Sequence, residues 1–306
     1  STTSNFIFLP FSVQVKSGIV ALVGPPNVGK STLLNHIVGQ KIAITSPKPQ
    51  TTRNRILGIQ NLENAQVLFV DTPGIHEAHS PLNRYMVDQA RSAALDVDVV
   101  LWLVEADRPV DTDPMIPKLL EKSTRPVLLV INKIDTIPKD KLLPLIAAYS
   151  KICPFASIVP ISALKGDGVE ALMNEIPQLL PEGPRYYPED QLTDVPERFI
   201  VAEMIREQIL MRTKDEVPYG VAILVERFQE NPVKNMVGID GVINVERDSQ
   251  KGILIGKGGT MLRQIGQGAR KEIERMLGVK VHLQLFVRVQ KNWTSSGRMM
   301  KEFGYE

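Results

Sequence analysis

Gly24-Pro25-Pro26-Asn27-Val28-Gly29-Lys30-Ser31 spaces two glycines, a lysine and a hydroxyl as a phosphate cradle requires. Its glycines free backbone N–H groups to wrap oxyanions, and a helix opening at the lysine adds a favourable dipole. In such a cradle Lys30 neutralises the outer phosphate oxygens and the Ser31 hydroxyl ligates Mg²⁺, with Thr32 beside it in the first turn. Asp71-Thr72-Pro73-Gly74 brings a carboxylate suited to a Mg²⁺-bound water and a glycine N–H for a terminal phosphate. Asn132-Lys133-Ile134-Asp135 offers a carboxylate to the paired N1–H and N2–H₂ donors of guanine, which adenine lacks. There Lys133 would lie along the base plane and Asn132 would brace the loop, while Ser162-Ala163-Leu164 would present a backbone N–H to guanine O6. Each short motif alone says little. Four in this order point to GTP or GDP with Mg²⁺.

Loops of this kind need strands to hold them. Residues 19–23, 67–70, 99–104, 127–131 and 158–161 are continuous apolar runs, as expected of strands buried on both faces of a parallel sheet. Each motif falls at the carboxyl end of one of them, where open α/β sheets bind ligands. The expected fold is an α/β P-loop domain with a mostly parallel sheet and helices on both faces, followed by a smaller α+β domain. Pro181, Pro184 and Pro188 around Gly183 mark a linker. The expected division is an N-terminal extension (1–17), a nucleotide domain (18–181), a Pro-rich linker (182–196), a second domain (197–291) and a basic tail (292–306).

The 306 residues are 43% hydrophobic and 23% charged, which excludes a disordered or fibrous chain. A net charge of +2 conceals an uneven distribution. Residues 182–250 carry 8 basic and 14 acidic side chains, net −6, whereas residues 251–301 carry 11 and 2, net +9. A segment that basic is a footprint for phosphate. One cysteine, Cys153, fits a reducing cytoplasm, and no apolar run reaches the ~18 residues that span a bilayer. His76-Glu-Ala-His79 imitates a metalloprotease motif, but its histidines are three apart rather than four, so no metal site is expected there.

With these motifs the sequence resembles translational GTPases of the Ras-like superclass, and within them the Era family. The resemblance runs from about Gly18 to the C-terminus. It implies GTP hydrolysis and a role in maturing the small ribosomal subunit, with peripheral contact at the inner face of the cell membrane left open. The family's first switch carries an essential threonine before arginine, which Thr51-Thr52-Arg53 matches. The Mg²⁺ and γ-phosphate role is assigned to Thr52, with Thr51 as the alternative. Lys30, Asn27, Thr52 and Gly74 are thus the candidate catalytic residues, and Ser31, Thr52 and Asp71 the candidate metal ligands.

Gly256-Lys257-Gly258-Gly259 looks like the G-x-x-G loop of a KH domain, here of type II topology, which presses against a single-stranded RNA backbone. Arg263, Arg270 and Lys291 add charge for RNA, while Ile253, Ile255, Leu262 and Ile265 are expected to build core. Trp293, set among cations, either stacks a base or anchors the tail. The resemblance implies that the RNA is the 3′ end of small-subunit ribosomal RNA. Ile75 stands where Ras-type enzymes carry the glutamine that orients the attacking water. Relatives with an aliphatic residue there include members whose P-loop asparagine holds K⁺, and Asn27 occupies that place. The competing readings are an RNA-binding module with little turnover, and a tRNA-directed GTPase.

Overall fold

Alternate residues of the same strands enter opposite apolar clusters, and that alternation builds the larger domain. The computed structural model describes residues 15–74, 81–110, 125–214 and 217–305. Its main sheet runs β2 (Ile56–Leu62), β3 (Ala65–Asp71), β1 (Val15–Val23), β4 (Val99–Glu105), β5 (Val127–Asn132) and β6 (Ser157–Pro160). Only β2 is antiparallel to its neighbour in this row. Val20, Leu22, Leu101, Leu103, Leu128 and Val130 pack with α1 (Lys30–Val38) and α4 (Val169–Leu179). Ala21, Val23, Val100, Trp102, Leu129 and Ile131 face the other way, toward Ala90 of α2 (Pro81–Leu95) and Tyr149 of α3 (Leu142–Tyr149). Double-sided burial explains why the strands read as unbroken apolar runs.

The second domain places α5 (Glu197–Arg212) before a three-stranded sheet of order β10 (Lys280–Val289), β9 (Met236–Val245), β8 (Val221–Asn231). β9 pairs antiparallel with β8 and parallel with β10. Between β9 and β10 come α6 (Asp248–Ile255), the glycine loop and α7 (Thr260–Leu277). Ile205 and Ile209 of α5 and Ile265, Ala269 and Ile273 of α7 are buried in one cluster with Ile239 and Ile243 of β9.

Three expected boundaries shift. β1 begins at Val15, inside the span set aside as extension. The Pro-rich segment is strapped to the nucleotide domain rather than free: β7 (Glu182–Gly183) pairs with Val15 and Lys16. Beyond it, Arg185 donates to the Leu62 and Glu63 carbonyls, and Gln66 Oε1 accepts from the Tyr186 and Tyr187 amides. The tail folds into α8 (Gly297–Glu302), and Trp293, Met300 and Tyr305 are buried with Leu82 and Met86 of α2 and Ala222 of β8. Its aromatic residues, interleaved with cations in sequence, bolt one domain to the other.

Candidate functional site

The phosphate cradle lies between β1 and α1. Lys30 is buried, its ammonium donating to the carbonyls of Gly24 (3.1 Å) and Pro25 (3.0 Å), and burial lowers its pKa to about 8. Ser31 Oγ donates to Asp71 Oδ2 at 2.5 Å and lies 2.9 Å from Thr52 Oγ1. Asp71 is fully buried, which raises its pKa to about 6, and its Oδ1 has no hydrogen-bond partner. Three oxygen-bearing side chains converge, and the carboxylate among them keeps a second, buried oxygen without a partner. That is a donor set for a hard divalent cation, and it fits Mg²⁺. Thr51 is engaged elsewhere, donating to the Lys48 carbonyl at 2.6 Å, so of the two hydroxyls it is Thr52 that lies against Ser31. Thr72 donates to the Leu22 carbonyl, and a Cβ on Gly74 would come within 2.7 Å of the Pro26 backbone. Glycine is required for that approach. Asn27 donates through Nδ2 to the Pro47 carbonyl at 2.9 Å, joining the cradle to the first switch.

Asn132 is buried where it can hold three loops together. Its Nδ2 donates to the Val28 carbonyl (2.7 Å), and its Oδ1 accepts the Ala163 N–H (2.9 Å). The Ser162 hydroxyl bonds the Asp135 carboxylate and is the main cause holding it below the usual carboxylate range, with the Lys165 ammonium 3.6 Å away. Asp135 is therefore a pure acceptor at neutral pH. Of the three amides in the stretch expected to present a backbone N–H to guanine O6, Ser162 N–H goes to Asp167 and Ala163 N–H to Asn132. Leu164 N–H has no acceptor among the described residues, and its side chain is exposed. One participant escaped the motif search. Glu105, at the end of β4, pairs with Lys133 at 2.8 Å. Its signal was a lone acid closing an otherwise apolar strand.

A separate groove of about 350 Å³ runs between the glycine loop, α7 and edge strand β10. Gly259, Leu262, Arg263, Gly266, Gln267, Arg270, Leu283 and Leu285 line it. Gly258 takes φ 60°, and a Cβ there would meet nothing within 4 Å, so the loop opens to solvent. Lys257 stands exposed at its tip. The core expectation holds in part: Leu262 packs against the core while also lining the groove, Ile265 is buried, and Ile253 is half exposed. Trp293 does not stack a base: it is fully buried, donates Nε1–H to the Gly220 carbonyl at 3.0 Å and stacks on Tyr305. Lys291 is exposed beyond the end of β10 and does not line the groove.

Between the two sites runs a seam made largely by the first switch. Arg53, next to Thr52, is buried and donates to the Val221 carbonyl (2.7 Å), the Tyr219 carbonyl (2.9 Å) and the Tyr305 hydroxyl (3.1 Å). From α5, Arg206 reaches the Thr51 and Gln50 carbonyls. Glu207 accepts from the Thr45 N–H (2.9 Å) and from Lys41 (2.5 Å). Lys48 donates to the Thr213 carbonyl. Ile75, His76 and His79 lie outside the described residues. Among the described residues no three His, Cys, Asp or Glu side chains are grouped to hold a metal ion, and no helix is long and apolar enough to cross a membrane.

A phosphate cradle with a guanine-reading loop, followed by a G-x-x-G domain, defines a GTP-binding switch protein joined to an RNA-binding module. Residues 19–133 match the family described as 50S ribosome-binding GTPase, and residues 216–294 match the KH domain family. The chain is 60% identical to the GTPase Era of Geotalea uraniireducens, over 96% of this chain and 99% of the relative. It is 53% identical to that of Lactobacillus helveticus, over 96% and 97%. A crystal structure of Era in complex with MgGDPNP and nucleotides 1506–1542 of 16S ribosomal RNA superposes with a TM-score of 0.90. That chain is 43% identical, over 95% of this chain and 99% of that one. A single-residue variant of Aquifex aeolicus Era bound to GDP·AlF₄⁻ gives 0.88 at 42% identity, with the same coverage. The chain belongs to the GTPase Era family, and it is a GTP-hydrolysing enzyme.

Proposed function

We propose that this GTPase grips the 3′ end of small-subunit ribosomal RNA in its KH groove, and that bound nucleotide decides how firmly. The relative solved with nucleotides 1506–1542 of 16S ribosomal RNA supports that choice of RNA. The expected setting is small-subunit assembly in the cytoplasm. No surface among the described residues is assigned to the peripheral membrane contact left open above.

One observation carries the gating. Thr52, which faces the Mg²⁺ position, and Arg53, which is buried against second-domain carbonyls, are neighbours on one strand of backbone. When bound, Mg²⁺ would supply a divalent charge that offsets the negative charge of the phosphates. Ser31, Thr52 and Asp71 would hold it, and Lys30 and the Gly74 N–H would meet the terminal phosphate. A γ-phosphate that fixes Thr52 fixes Arg53 with it. Loss of that phosphate frees the loop whose carbonyls and amide hold Arg206 and Glu207. Asn27, at the cradle's rim, is proposed to accept a K⁺ ion that offsets charge in the transition state.

The test is crosslinking of the full chain to cellular RNA followed by sequencing, with RNA affinity measured in GDP and in a non-hydrolysable GTP analogue. The expected result is enrichment of the 3′ end of small-subunit ribosomal RNA and tighter binding in one nucleotide state. Dominant tRNA, or equal affinity in both states, would overturn the corresponding half of the proposal.

A further inference from the structure

We propose that Glu105 is a positioning residue of the guanine site, holding the Lys133 stem as a preset shelf for the base. This rests on the assignment of Lys133 and Asp135 to guanine made above. Glu105 closes β4 directly opposite Asn132 in the β4–β5 register. Its carboxylate is only 4% exposed, an expensive place for a charge unless both oxygens are matched. Each faces a cation: Oε1 lies 2.8 Å from Lys133 Nζ, as an ion pair without hydrogen-bond geometry, and Oε2 lies 2.7 Å from Arg108 Nε. The two cations differ in kind. Arg108 is 64% exposed and fences the outer oxygen, whereas the Lys133 side chain is two-thirds covered.

Lys133 also adopts φ 64°, a left-handed backbone that a lysine seldom takes and that must be maintained from outside. Adjacent bonds maintain it. The Ala106 N–H donates to the Asn132 carbonyl at 2.8 Å, and the Thr136 N–H and hydroxyl both donate to the Lys133 carbonyl. Backbone and ammonium are thus fixed at the two ends of a four-torsion chain. A lysine left free would lose that rotamer freedom each time a base arrived. Tethered to Glu105, it has lost it during folding. The carboxylate need not touch nucleotide at all. It acts through Lys133, which distinguishes it from Asp135, whose role is to read the base edge.

The distinction sets the test, made on the full chain with a fluorescent GDP derivative and competing nucleotides. Glu105→Gln keeps the side-chain shape and removes the charge. GDP affinity should fall about five- to tenfold, through faster dissociation. The ratio of guanosine to inosine nucleotide affinity should not change, because a shelf is blind to the 2-amino group. In a Lys133→Met background, which retains an apolar stem without an ammonium, Glu105→Gln should cause no further loss. Unchanged affinity in Glu105→Gln would overturn the inference, as would an equal loss in both backgrounds or an altered guanosine-to-inosine ratio. Thermal unfolding of each variant without nucleotide supplies the control for folding: a midpoint lowered equally in both backgrounds would assign Glu105 to the core instead. Asp135→Asn, run beside them, tests the underlying assignment separately. Unchanged GTP affinity there would remove the guanine reading, whatever the Glu105 cycle gives.

Discussion

The nucleotide cleft and the KH groove bind phosphate by opposite designs. In the cleft the charged and polar groups are buried and already engaged: Lys30 on loop carbonyls, Asp71 on Ser31, Asn132 across three loops. In the groove the arginines are exposed, the glycine loop is open, and the floor is leucine. A cleft of the first kind pays its desolvation during folding and accepts one shape of ligand. A groove of the second kind draws a polyanion by charge and seats bases on apolar surface, so it tolerates variation. Discrimination should therefore fail abruptly when the cleft is altered and gradually when the groove is.

The largest break should come at Asp135. Asp135→Asn replaces one acceptor oxygen with a donor facing guanine's N–H groups and loses a charge-assisted pair. The expected cost is about 3 kcal/mol, near a hundredfold in GTP affinity. Xanthine nucleotides, whose 2-oxo group accepts the new donor, should gain. Competition titration of GTP and XTP reads both. Unchanged GTP affinity would place base recognition elsewhere.

The groove should yield less. Gly258→Asp introduces an anion where phosphate sits, at a left-handed position aspartate tolerates and with no neighbour within 4 Å, so folding should be spared. RNA affinity should fall about tenfold to thirtyfold while GTP affinity stays constant, and log K for wild-type protein should decline with log salt by about 0.7 per phosphate contact. A salt-independent affinity would dismiss the basic segment as the docking face.

These contrasts also explain what could be read from sequence. The cleft was legible because its chemistry depends on local spacing: Gly24 to Ser31 is one loop, and each further motif closes a continuous apolar strand. β2 escaped because Ile56-Leu57-Gly58-Ile59-Gln60 is an edge strand without such a run. Glu105 meets Lys133 because β4 pairs with β5 across 28 positions of chain, and the lone acid closing its strand does not say which residue it meets. Leu283 and Leu285 belong to the groove only because β10 returns beside α7. Trp293 stayed between two roles because cations flank it in sequence, and only the fold turns its ring inward, onto Gly220 and Tyr305, as the anchor of the tail. Long-range packing decides such cases.

The seam joining the two designs gives a third effect of intermediate size. Arg53→Ala would leave the carbonyls of Tyr219 and Val221 without their cation and cut the hydrogen-bonded path from the Thr52 backbone to the second domain. Coupling between distinct sites is typically worth about 1–3 kcal/mol. Any difference in RNA affinity between the GTP-analogue and GDP states should therefore shrink about tenfold, with nucleotide affinity itself little changed. Isothermal titration of RNA in each state measures this. A difference that survives Arg53→Ala would route the coupling through the other seam contacts, those of Arg206, Glu207 and Lys48.

The smallest effect concerns Asn27 and the monovalent cation. The Asn27 amide donates to the Pro47 carbonyl, so two roles are physically available to it. It either ties the cradle to the first switch, or it turns its oxygen toward a K⁺ ion that shares the carbonyls of the switch. A cation there would offset charge on the leaving phosphate, as an arginine finger does. Turnover should then be faster in potassium than in sodium, by about threefold to fivefold, because the larger ion suits a ring of amide and carbonyl oxygens. Asn27→Ala confounds the two roles, since φ 65° at this position is easier for asparagine than for alanine. Asn27→Asp separates them. It keeps an oxygen and tolerates the backbone, yet cannot donate to Pro47. If the ion matters, Asn27→Asp should retain the preference for potassium and Asn27→Ala should lose it while still binding GTP. If only the tie matters, both variants should slow equally in either salt, and wild-type rates in the two salts should coincide.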